Sequence, residues 1–593
     1  MTDEIKAKNR KYIHSRKETK IMTKTAKKVI SLIITTMMIL TMSSFVFAAG
    51  EPVVTIKKND ANDTSAHSYD FYQVFSAKVD DDKKLYDIAW GSGVNVDADF
   101  YTDLGQVTGF SGCTSVDDVL AVLENAENNS AVVDAFAKFI EGKTSSTKVT
   151  AALSKTEKTV TTELGSGFGY YLVTDTITSA DGNGAVSKFM LKVVNEATGI
   201  EINTKEVVPG LDKKIVGGDG DTYNQASVGD EITFELSSKV PDLRSKGYNK
   251  YCFVMNDTLS DGLTYIGTSS SNNAPVSVTV GTKTLTSSEY TYTFDSTTNS
   301  LKIVFKDFLG YGLDTNYIGK DVKVTYKAML NENAVVTDEG NPNTANLIYS
   351  NDPSHNYTSD EPSSSDPKGK TPDKSTVTYT TGVKVEKVDK DGNPLTGAKF
   401  EIKGTSADQV IVTKTVYTKD NTNGTYYKLK DGTYTTTKPT AQTQDKYDSS
   451  DKYVQGTQKT LETKPSSTDI QLTVDADGIL VLTGLGAGDY TIEEIEAPSG
   501  YTKDGIVHTV KIECTFDSNN KPVWKYTIDG TVTDIDTAAG EAFVKLTVEN
   551  KKTSDLPETG GMGTTMFYVS GSILLACGAA LIVLKKKAAS ANR

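Results

Sequence analysis

Between its two apolar ends, this sequence is dominated by short segments in which Thr, Val, Tyr and Ile alternate with polar residues. Turn clusters such as Asp391-Gly392-Asn393 and Asp477-Gly478 separate these segments. Successive side chains of a strand point to opposite faces, so this alternation favours strands that bury one face. We therefore predict an all-β chain of tandem Ig-like β-sandwich domains.

One segment of the first domain has helical spacing instead. Ser115 and Asp118 have the spacing of a capping box, in which each side chain accepts a hydrogen bond from the other residue's backbone N–H. Apolar residues follow at helical spacing, namely Val119, Leu120, Leu123, Val132, Val133, Phe136 and Ile140. We expect a short helical insertion here.

The C-terminal end has the order of a wall-sorting signal. It begins with an LPxTG pentapeptide, whose residues are Leu556, Pro557, Glu558, Thr559 and Gly560. An uncharged run over 567–584 follows, close to the roughly 20 residues that a bilayer core requires. Three lysines at 585–587 would then hold the terminus in the cytoplasm. A permanent single-span anchor is the alternative.

This order resembles the substrates of Gram-positive sortases, transpeptidases that cut between Thr559 and Gly560 and pass the Thr559 acyl group to an amine. The N-terminal end agrees with export, because Lys24, Lys27 and Lys28 precede an uncharged run over 29–47. Small residues then predict signal cleavage after Ala48, with an uncleaved anchor as the alternative.

Composition narrows the function classes. The net charge of -14 argues against nucleic acid as a partner. Cys577 lies in the sorting tail, and Cys113, Cys252 and Cys514 have no spacing typical of a disulfide framework or a zinc site. The Asp-rich turns lack the later glutamate of a full calcium loop, and the four histidines suggest no triad. We expect no enzyme, no metal and no cofactor.

Breaks in the apolar pattern suggest the domain boundaries. A Pro- and Ser-rich stretch from about Asn351 to Ser375 is typical of a linker, and another junction lies near Thr204 to Gly210. The expected organisation is a signal peptide over 1–48, domains over 49–208, 209–355 and 379–553, a linker over 356–378, and a sorting segment over 554–593.

In the last domain, alternation turns three reactive residue types inward. Lys387, Glu494 and Asn550 each share a strand face with apolar residues. Burial lowers the pKa of a lysine and raises that of a carboxyl group, so a neutral amine can attack the asparagine carbonyl while the acid relays protons. The pattern predicts a spontaneous Lys–Asn amide bond that releases ammonia. A buried, hydrogen-bonded Lys–Glu pair, or outward-facing charges, is the alternative.

Three ordered segments, KVEKVDKDGNPLTGAKFEI, YTIEEIEAPSGY and VENKK, resemble the start, the acidic box and the end of a CnaB-type isopeptide domain. In that family the first-strand lysine, the glutamate before x-x-A-P and the terminal-strand asparagine react. The resemblance thus implies Lys387, Glu494 as the acid, and Asn550. Glu493 and Glu496 are the alternative acids.

The middle domain repeats this logic. Alternation turns Lys213 and Asp257 inward, and Asn343 continues an apolar face. The segments PGLDKKIVG, NDTLSDGLTY and NTANLIYSNDP are similar to the isopeptide-forming D2 domain of Gram-positive fimbrial subunits, in which an aspartate is the acid. The resemblance implies a Lys213–Asn343 bond with Asp257 as the acid. The alternative residues are Lys214, Asp261 and Asn346, and NDTLSDG as a polar turn without a reactive acid is the other alternative.

The first domain resembles the N-terminal domain of the same subunits through HSYDFYQVFSAK, LYDIAWGSG and FGYYLVTD. Where an acidic box needs glutamate, only Asp175 follows the strand, so we predict no isopeptide bond and lower local stability. In fimbrial backbone subunits, a lysine in a YPKN motif accepts the Thr acyl group of the next subunit. Lys205 stands at the matching distance, with Asn203 and Thr204 replacing Tyr and Pro. A solvated lysine without function is the alternative.

The resemblance implies a backbone subunit of a sortase-assembled pilus on the surface of a Gram-positive cell. Its expected partners are pilin-specific and housekeeping sortases, identical subunits joined head to tail, minor pilins and peptidoglycan. The alternative is a wall-anchored adhesin, attached singly through Thr559, that binds a host or neighbouring-cell ligand.

Overall fold

The computed structural model describes residues 51–126, 131–165, 167–179, 183–194, 199–267, 276–404, 408–430, 432–438, 447–533, 535, 543–553 and 563–590. Their strands form six sheets, which pack in pairs around separate apolar cores. Three β-sandwiches therefore follow one another along the chain, as the alternation predicts. The expected cleavage site at Ala48 and the LPxTG motif lie outside the described residues.

The first sandwich packs a three-stranded sheet on a five-stranded sheet. Its strands are β1 (Val53–Lys57), β2 (His67–Val79), β3 (Leu85–Trp90), β4 (Val149–Leu153), β5 (Thr159–Glu163), β6 (Gly169–Ile177), β7 (Phe189–Val193) and β8 (Ile200–Asn203). The sheet orders are β5-β1-β8 and β3-β2-β6-β7, with β4 also beside β2.

The helical insertion lies between β3 and β4 and consists of α1 (Phe100–Leu104), α2 (Val116–Glu124) and α3 (Ala131–Glu141). Phe100 and Phe136 pack with Phe75 of β2, so the helices cover one face of the larger sheet. The expected capping box is present. Ser115 Oγ accepts from the Asp118 N–H at 3.2 Å, and Asp118 Oδ2 accepts from the Ser115 N–H at 3.0 Å.

The second sandwich pairs a six-stranded with a seven-stranded sheet. Its elements are β9 (Asp212–Ile215), β10 (Tyr223–Gln225), β11 (Glu231–Lys239), β12 (Phe253–Leu259), β13 (Leu263–Gly267), β14 (Ser277–Val280), β15 (Lys283–Thr284), β16 (Tyr290–Asp295), β17 (Ser300–Phe305), α4 (Phe308–Leu313), β18 (Asp321–Leu330), β19 (Asn341–Ser350), β20 (Lys368–Lys370) and β21 (Lys374–Tyr379). The orders are β15-β14-β18-β11-β9, with β13 beside β18, and β10-β21-β19-β12-β17-β16, with β20 beside β19.

The third sandwich pairs an eight-stranded with a six-stranded sheet. Its strands are β22 (Thr381–Asp389), β23 (Lys399–Gly404), β24 (Gln409–Lys419), β25 (Tyr426–Leu429), β26 (Tyr434–Thr435), β27 (Tyr447–Thr463), β28 (Ile470–Thr473), β29 (Ile479–Leu485), β30 (Gly488–Glu496), β31 (Tyr501–Thr502), β32 (Val507–Phe516), β33 (Pro522–Ile528), β34 (Thr531–Thr533) and β35 (Phe543–Lys552). The orders are β26-β25-β27-β24-β29-β22-β35-β31 and β28-β23-β30-β32-β33-β34. The first strand, β22, pairs in parallel with the last, β35.

The stretch expected as a linker carries secondary structure. Both β20 and β21 pair with β19, and Tyr357 is buried at 2% exposure. Only Thr380 separates β21 from β22, so the chain passes from the second sandwich to the third without a loop. Prolines and serines here suit a short edge strand and its turns, which the composition does not distinguish from an open linker.

Hydrogen bonds join neighbouring sandwiches. The Tyr349 hydroxyl donates to Asn183 Oδ1 at 2.6 Å and links the second sandwich to the first. The Gly486 and Ala487 N–H groups of the third donate to Ser227 Oγ at 2.9 Å and to Gln225 Oε1 at 2.7 Å.

Candidate cross-linking sites

The second sandwich brings Lys213, Asp257 and Asn343 together in its core. Lys213 lies on β9 in the six-stranded sheet, while Asp257 and Asn343 lie on β12 and β19 of the facing sheet. Their strands alternate buried and more exposed residues, which turns all three side chains inward. Lys213 and Asp257 have fully buried side chains, and Asn343 is 0% exposed.

A chain of short hydrogen bonds connects these residues. Lys213 Nζ donates to Asp257 Oδ1 at 2.6 Å and to Oδ2 at 2.5 Å. The Tyr326 hydroxyl of β18 donates to Asp257 Oδ2 at 2.5 Å and accepts from Asn343 Nδ2 at 2.6 Å. Lys213 Nζ also lies 3.4 Å from this hydroxyl. Tyr326 therefore stands between the lysine, the acid and the amide.

The environment favours the uncharged amine. Burial lowers the pKa of Lys213 to about 8, although the Asp257 carboxylate opposes this shift. The rings of Phe234 and Tyr326 lie 5.2 and 5.8 Å from Lys213 Nζ and exclude water from it. At pH 7 about a tenth of Lys213 is then a free-base nucleophile, whereas an exposed lysine is almost entirely protonated.

The third sandwich assembles Lys387, Glu494 and Asn550 in a different geometry. Lys387 on β22 and Asn550 on β35 belong to adjacent parallel strands, and Glu494 reaches them from β30 in the facing sheet. Asn550 Nδ2 donates directly to Glu494 Oε1 at 2.8 Å. Lys387 Nζ donates to Val548 O at 2.9 Å and lies 3.7 Å from Glu494 Oε1. Burial also lowers the pKa of Lys387.

Both clusters leave the same atom unpaired. Asn343 Oδ1 and Asn550 Oδ1 are buried and have no hydrogen-bond partner among the described residues. A buried amide oxygen without a partner costs about 1–3 kcal/mol. In each cluster the amide nitrogen, rather than the oxygen, is held by the acid or by Tyr326.

The alternative residues make surface contacts. Lys214 pairs with Glu235 at 3.2 Å, and Asn346 Nδ2 donates to Asp373 at 3.1 Å. Asp261 is exposed. Glu493 and Glu496 pair with Lys503 at 3.2 Å and Lys399 at 2.5 Å, respectively. The structure thus places Lys213, Asp257, Asn343, Lys387, Glu494 and Asn550 inward.

Two contributors were missed by reasoning from the sequence. Tyr326 belongs to an alternating buried face of β18, so its inward direction was readable, but its partners come from strands distant in sequence. The backbone N–H of Asp504 donates to Glu494 Oε2 at 2.7 Å, and His508 in turn contacts the Asp504 carboxylate at 2.9 Å. No local pattern indicates that a loop closes on the acid.

The first sandwich also buries a lysine, in a different setting. Lys58 Nζ donates to the main-chain oxygen of Ser65 at 2.9 Å and lies 3.5 Å from Asp63. His67 bridges Asp63 and Asp175 at 3.2 and 2.8 Å. Burial opposes the charged form of His67, but the two carboxylates outweigh it and raise the pKa of His67 to about 9. Asp175 is thus paired with a histidine, and the absence of an isopeptide bond here stays a prediction.

Lys205 is exposed between the buried residues Thr204 and Glu206. It lines a cavity of about 750 Å³ at the junction of the first two sandwiches. Apolar residues from both sides line the same cavity, among them Leu120, Phe136, Tyr170 and Met190 of the first and Tyr248 of the second. The Lys246 ammonium of the second sandwich donates to the Lys205 main-chain oxygen at 2.9 Å.

The C-terminal segment forms one long helix, α5 (Gly563–Ser590). Its stretch Met566–Lys587 is long and apolar enough to cross a membrane and is not buried by the sandwiches. Cys113, Cys252, Cys514 and Cys577 are free thiols in the part of the chain described here.

Parts of the second and third sandwiches match known protein families. Residues 228–353 match the sequence model of the Gram-positive pilin backbone subunit 2, Cna-B-like domain. Residues 381–443 and 440–528 match that of the SpaA prealbumin-like fold domain. The matched regions contain Asp257, Asn343, Lys387 and Glu494.

The chain is 25% identical over 408 residues to the trypsin-resistant surface T6 protein of Streptococcus pyogenes serotype M6, covering 65% of this chain and 70% of that protein. The solved structure of the T6 backbone pilin of the same serotype is similar in fold, with a TM-score of 0.50, 17% identity, and coverage of 86% of this chain and 99% of that one. The full-length major pilin SpaD of Corynebacterium diphtheriae aligns with a TM-score of 0.42 at 17% identity, over 85% of this chain and 98% of that one.

Two family models match in order along consecutive sandwiches, and a curated relative spans most of both chains. In these two consecutive sandwiches the chain therefore carries domains of the kinds found in Gram-positive backbone pilins.

Proposed function

We propose that this chain is a shaft subunit of a sortase-polymerised surface pilus, strengthened by intramolecular Lys213–Asn343 and Lys387–Asn550 isopeptide bonds. The observation that carries the proposal is the pair of buried clusters, each of which holds a lysine, a carboxyl group and an asparagine amide. Two clusters of this composition in successive sandwiches have no evident use in ligand binding, since no solvent reaches them.

The chemistry follows from the environment. A neutral lysine amine attacks the asparagine side-chain carbonyl, the buried acid accepts and returns protons, and ammonia leaves. Asp257 acts as the acid in the second sandwich and Glu494 in the third. The reaction would need no cofactor and no other protein, because the fold itself holds the lysine, the acid and the amide in one buried cluster.

We further propose that subunits are joined by an amide between Thr559 of one and Lys205 of the next. A pilin-specific sortase would cleave after Thr559 and transfer the acyl group, and a housekeeping sortase would attach the finished fibre to peptidoglycan. Minor pilins would use the same chemistry. The exposure of Lys205 beside an open cavity supports its access to an acyl-enzyme.

The geometry of such a linkage is heterologous. It joins the C-terminal end of one copy to the junction of the first and second sandwiches in the next, so each addition leaves a free acceptor. A contact of this kind does not close and therefore generates a fibre.

The test is the polymer ladder in cell-wall extracts, detected by immunoblotting. Replacing Lys205 by Ala should abolish the ladder while monomer stays attached to the wall, because wall attachment needs Thr559 alone. Lys192→Ala is the matched control, since Lys192 is an exposed lysine of the same cavity.

A ladder that survives Lys205→Ala unchanged would move the acceptor to another lysine, with Lys214 the next to replace. If the unaltered chain forms no ladder, the shaft function is wrong, and a singly anchored adhesin becomes the better account.

A further inference from the structure

The two clusters differ in how the acid reaches the amide. In the third sandwich, Glu494 accepts directly from Asn550 Nδ2 at 2.8 Å. In the second, the described hydrogen bonds connect Asp257 to Asn343 only through the Tyr326 hydroxyl. An aspartate side chain is one methylene shorter than a glutamate, and the phenol oxygen occupies the gap that this leaves.

We propose that Tyr326 is a fourth catalytic residue of Lys213–Asn343 bond formation and relays a proton between Asp257 and the Asn343 amide. This inference rests on the proposed cross-link. The geometry fits the role, because the hydroxyl donates to the acid at 2.5 Å and accepts from the leaving nitrogen at 2.6 Å.

The proton balance is complete. Lys213 first passes its ammonium proton to Asp257. Neutral Nζ attacks Asn343 Cγ, the Nζ–Cγ bond forms, Tyr326 gives its hydroxyl proton to Nδ2, and Asp257 restores the proton to Tyr326. The Cγ–Nδ2 bond breaks and ammonia leaves with three protons. The second Nζ proton passes to Asp257 and stays there, so every proton is accounted for and nothing is oxidised or reduced.

A purely structural role explains this tyrosine less well. The Tyr326 hydroxyl has three polar partners in a core where its ring is already fully buried. Tyr251 provides the contrast within the same core, because its hydroxyl is equally buried and has no hydrogen-bond partner among the described residues. Burial and Asp257 raise the pKa of Tyr326 well above its usual value, so the phenol stays protonated and able to donate.

The experiment follows newly made protein, because a closed bond cannot be reopened. The chain over 49–555 contains every described strand. This chain is pulse-labelled during synthesis, and samples are quenched in denaturant at successive times. Each sample is digested, and mass spectrometry quantifies the cross-linked Lys213–Asn343 and Lys387–Asn550 peptides. The Lys387–Asn550 peptide reports folding and chemistry in the same molecules.

For Tyr326→Phe we expect Lys213–Asn343 formation to slow by roughly 100-fold or more, the usual range for loss of general acid–base catalysis, with the Lys387–Asn550 rate unchanged. Tyr251→Phe, the matched loss of one buried hydroxyl, should leave both rates as they are. The proposal is overturned if the Tyr326→Phe variant forms both bonds at the same rates as the unaltered chain.

A folding defect is separated from a chemical one by replacing Tyr326 with a fluorinated tyrosine. This residue keeps the shape and the hydroxyl but lowers the phenol pKa, so a relay changes its rate whereas a packing role does not. An unchanged rate contradicts the relay. Absence of the Lys213–Asn343 peptide from the unaltered chain would instead refute the proposed cross-link itself.

Discussion

A buried lysine needs a counter-charge or a change of protonation, and the three sandwiches meet this need differently. Lys58 in the first donates to a main-chain oxygen and lies near Asp63, and no asparagine amide of the described residues is hydrogen-bonded to it. Lys213 and Lys387 lie beside an acid that is itself linked to an asparagine amide. On the proposed chemistry, burial alone would therefore not make a lysine reactive, and the asparagine amide would be the deciding group.

The His67 network predicts a pH dependence for the first sandwich. Because the pKa of His67 is raised from 6.5 to about 9, its contribution to stability is complete below pH 6.5 and is lost as the pH rises through 9. The loss should be of the order of a few kcal/mol, at about 1.4 kcal/mol per pKa unit. Hydrogen exchange of the β2 amides, followed from pH 6 to about pH 10, measures it.

The His67→Gln variant should be less stable at low pH and should lose most of this slope. His355→Gln, which replaces a partly exposed histidine of the second sandwich, is the control and should keep the slope. Equal slopes in His67→Gln and the unaltered chain would show that this histidine does not titrate with folding.

At the scale of strands, the two proposed bonds have different tasks. The Lys213–Asn343 bond would join β9 to β19 across the sandwich, from one sheet to the other. The Lys387–Asn550 bond would join neighbouring strands, β22 and β35, within one sheet. One bond would hold the two sheets together, and the other would prevent the first strand from sliding past the last.

The two proposed bonds predict a molecular mass below that calculated from the sequence. The chain over 49–555 should weigh about 34 Da less than its sequence mass, since each of two bonds releases one ammonia. Glu494→Ala and Asp257→Ala should each restore about 17 Da, because each removes the acid of its own cluster. Intact-protein mass spectrometry gives the answer.

The two proposed bonds also predict a higher free energy of unfolding for the sandwiches that contain them. The bonds close loops of about 130 and 160 residues, which on the chain-entropy model for disulfides stabilises each sandwich by roughly 4–5 kcal/mol. Asn550→Ala should therefore lower the urea midpoint of the third sandwich and leave that of the second unchanged. An unshifted mass in the unaltered chain would contradict both bonds at once.

Strand alternation explains how much of the two clusters could be predicted from the sequence. It identified the inward faces of β9, β22 and β30, because a period of two needs no knowledge of partners. It could not show that Tyr326 meets Asp257, or that the loop at Asp504 closes on Glu494, since strand order is a long-range property. The helical insertion was expected as one patch, but it forms three helices.

At the scale of the whole chain, consecutive sandwiches are joined closely. The direct passage from β21 to β22, with Val228 N–H donating to Gly484 O at 2.8 Å, connects the second and third sandwiches without a flexible spacer. The rings of Tyr223 and Phe516 add an apolar contact with centroids 4.4 Å apart. Such a junction would restrict movement of the third sandwich relative to the second.

Processing of both ends is the prediction that belongs to this scale. The wall-released chain should lack residues 1–48 and 560–593, because signal peptidase would cut after Ala48 and sortase after Thr559. Mass spectrometry of the terminal peptides of wall-released protein tests this. Peptides that retain Gly560 and the lysine tail would establish a permanent membrane anchor instead.

The parallel pairing of β22 with β35 has a consequence for length. A pull that enters at Thr381 and leaves after Lys552 loads these strands in shear, and a Lys387–Asn550 bond would pass the load straight across. The roughly 160 residues between them would then never unravel. At about 3.4 Å per residue, these residues correspond to on the order of 500 Å of extended chain length that the fibre cannot release. Such a filament would transmit a pulling force to the cell surface without extension of this sandwich.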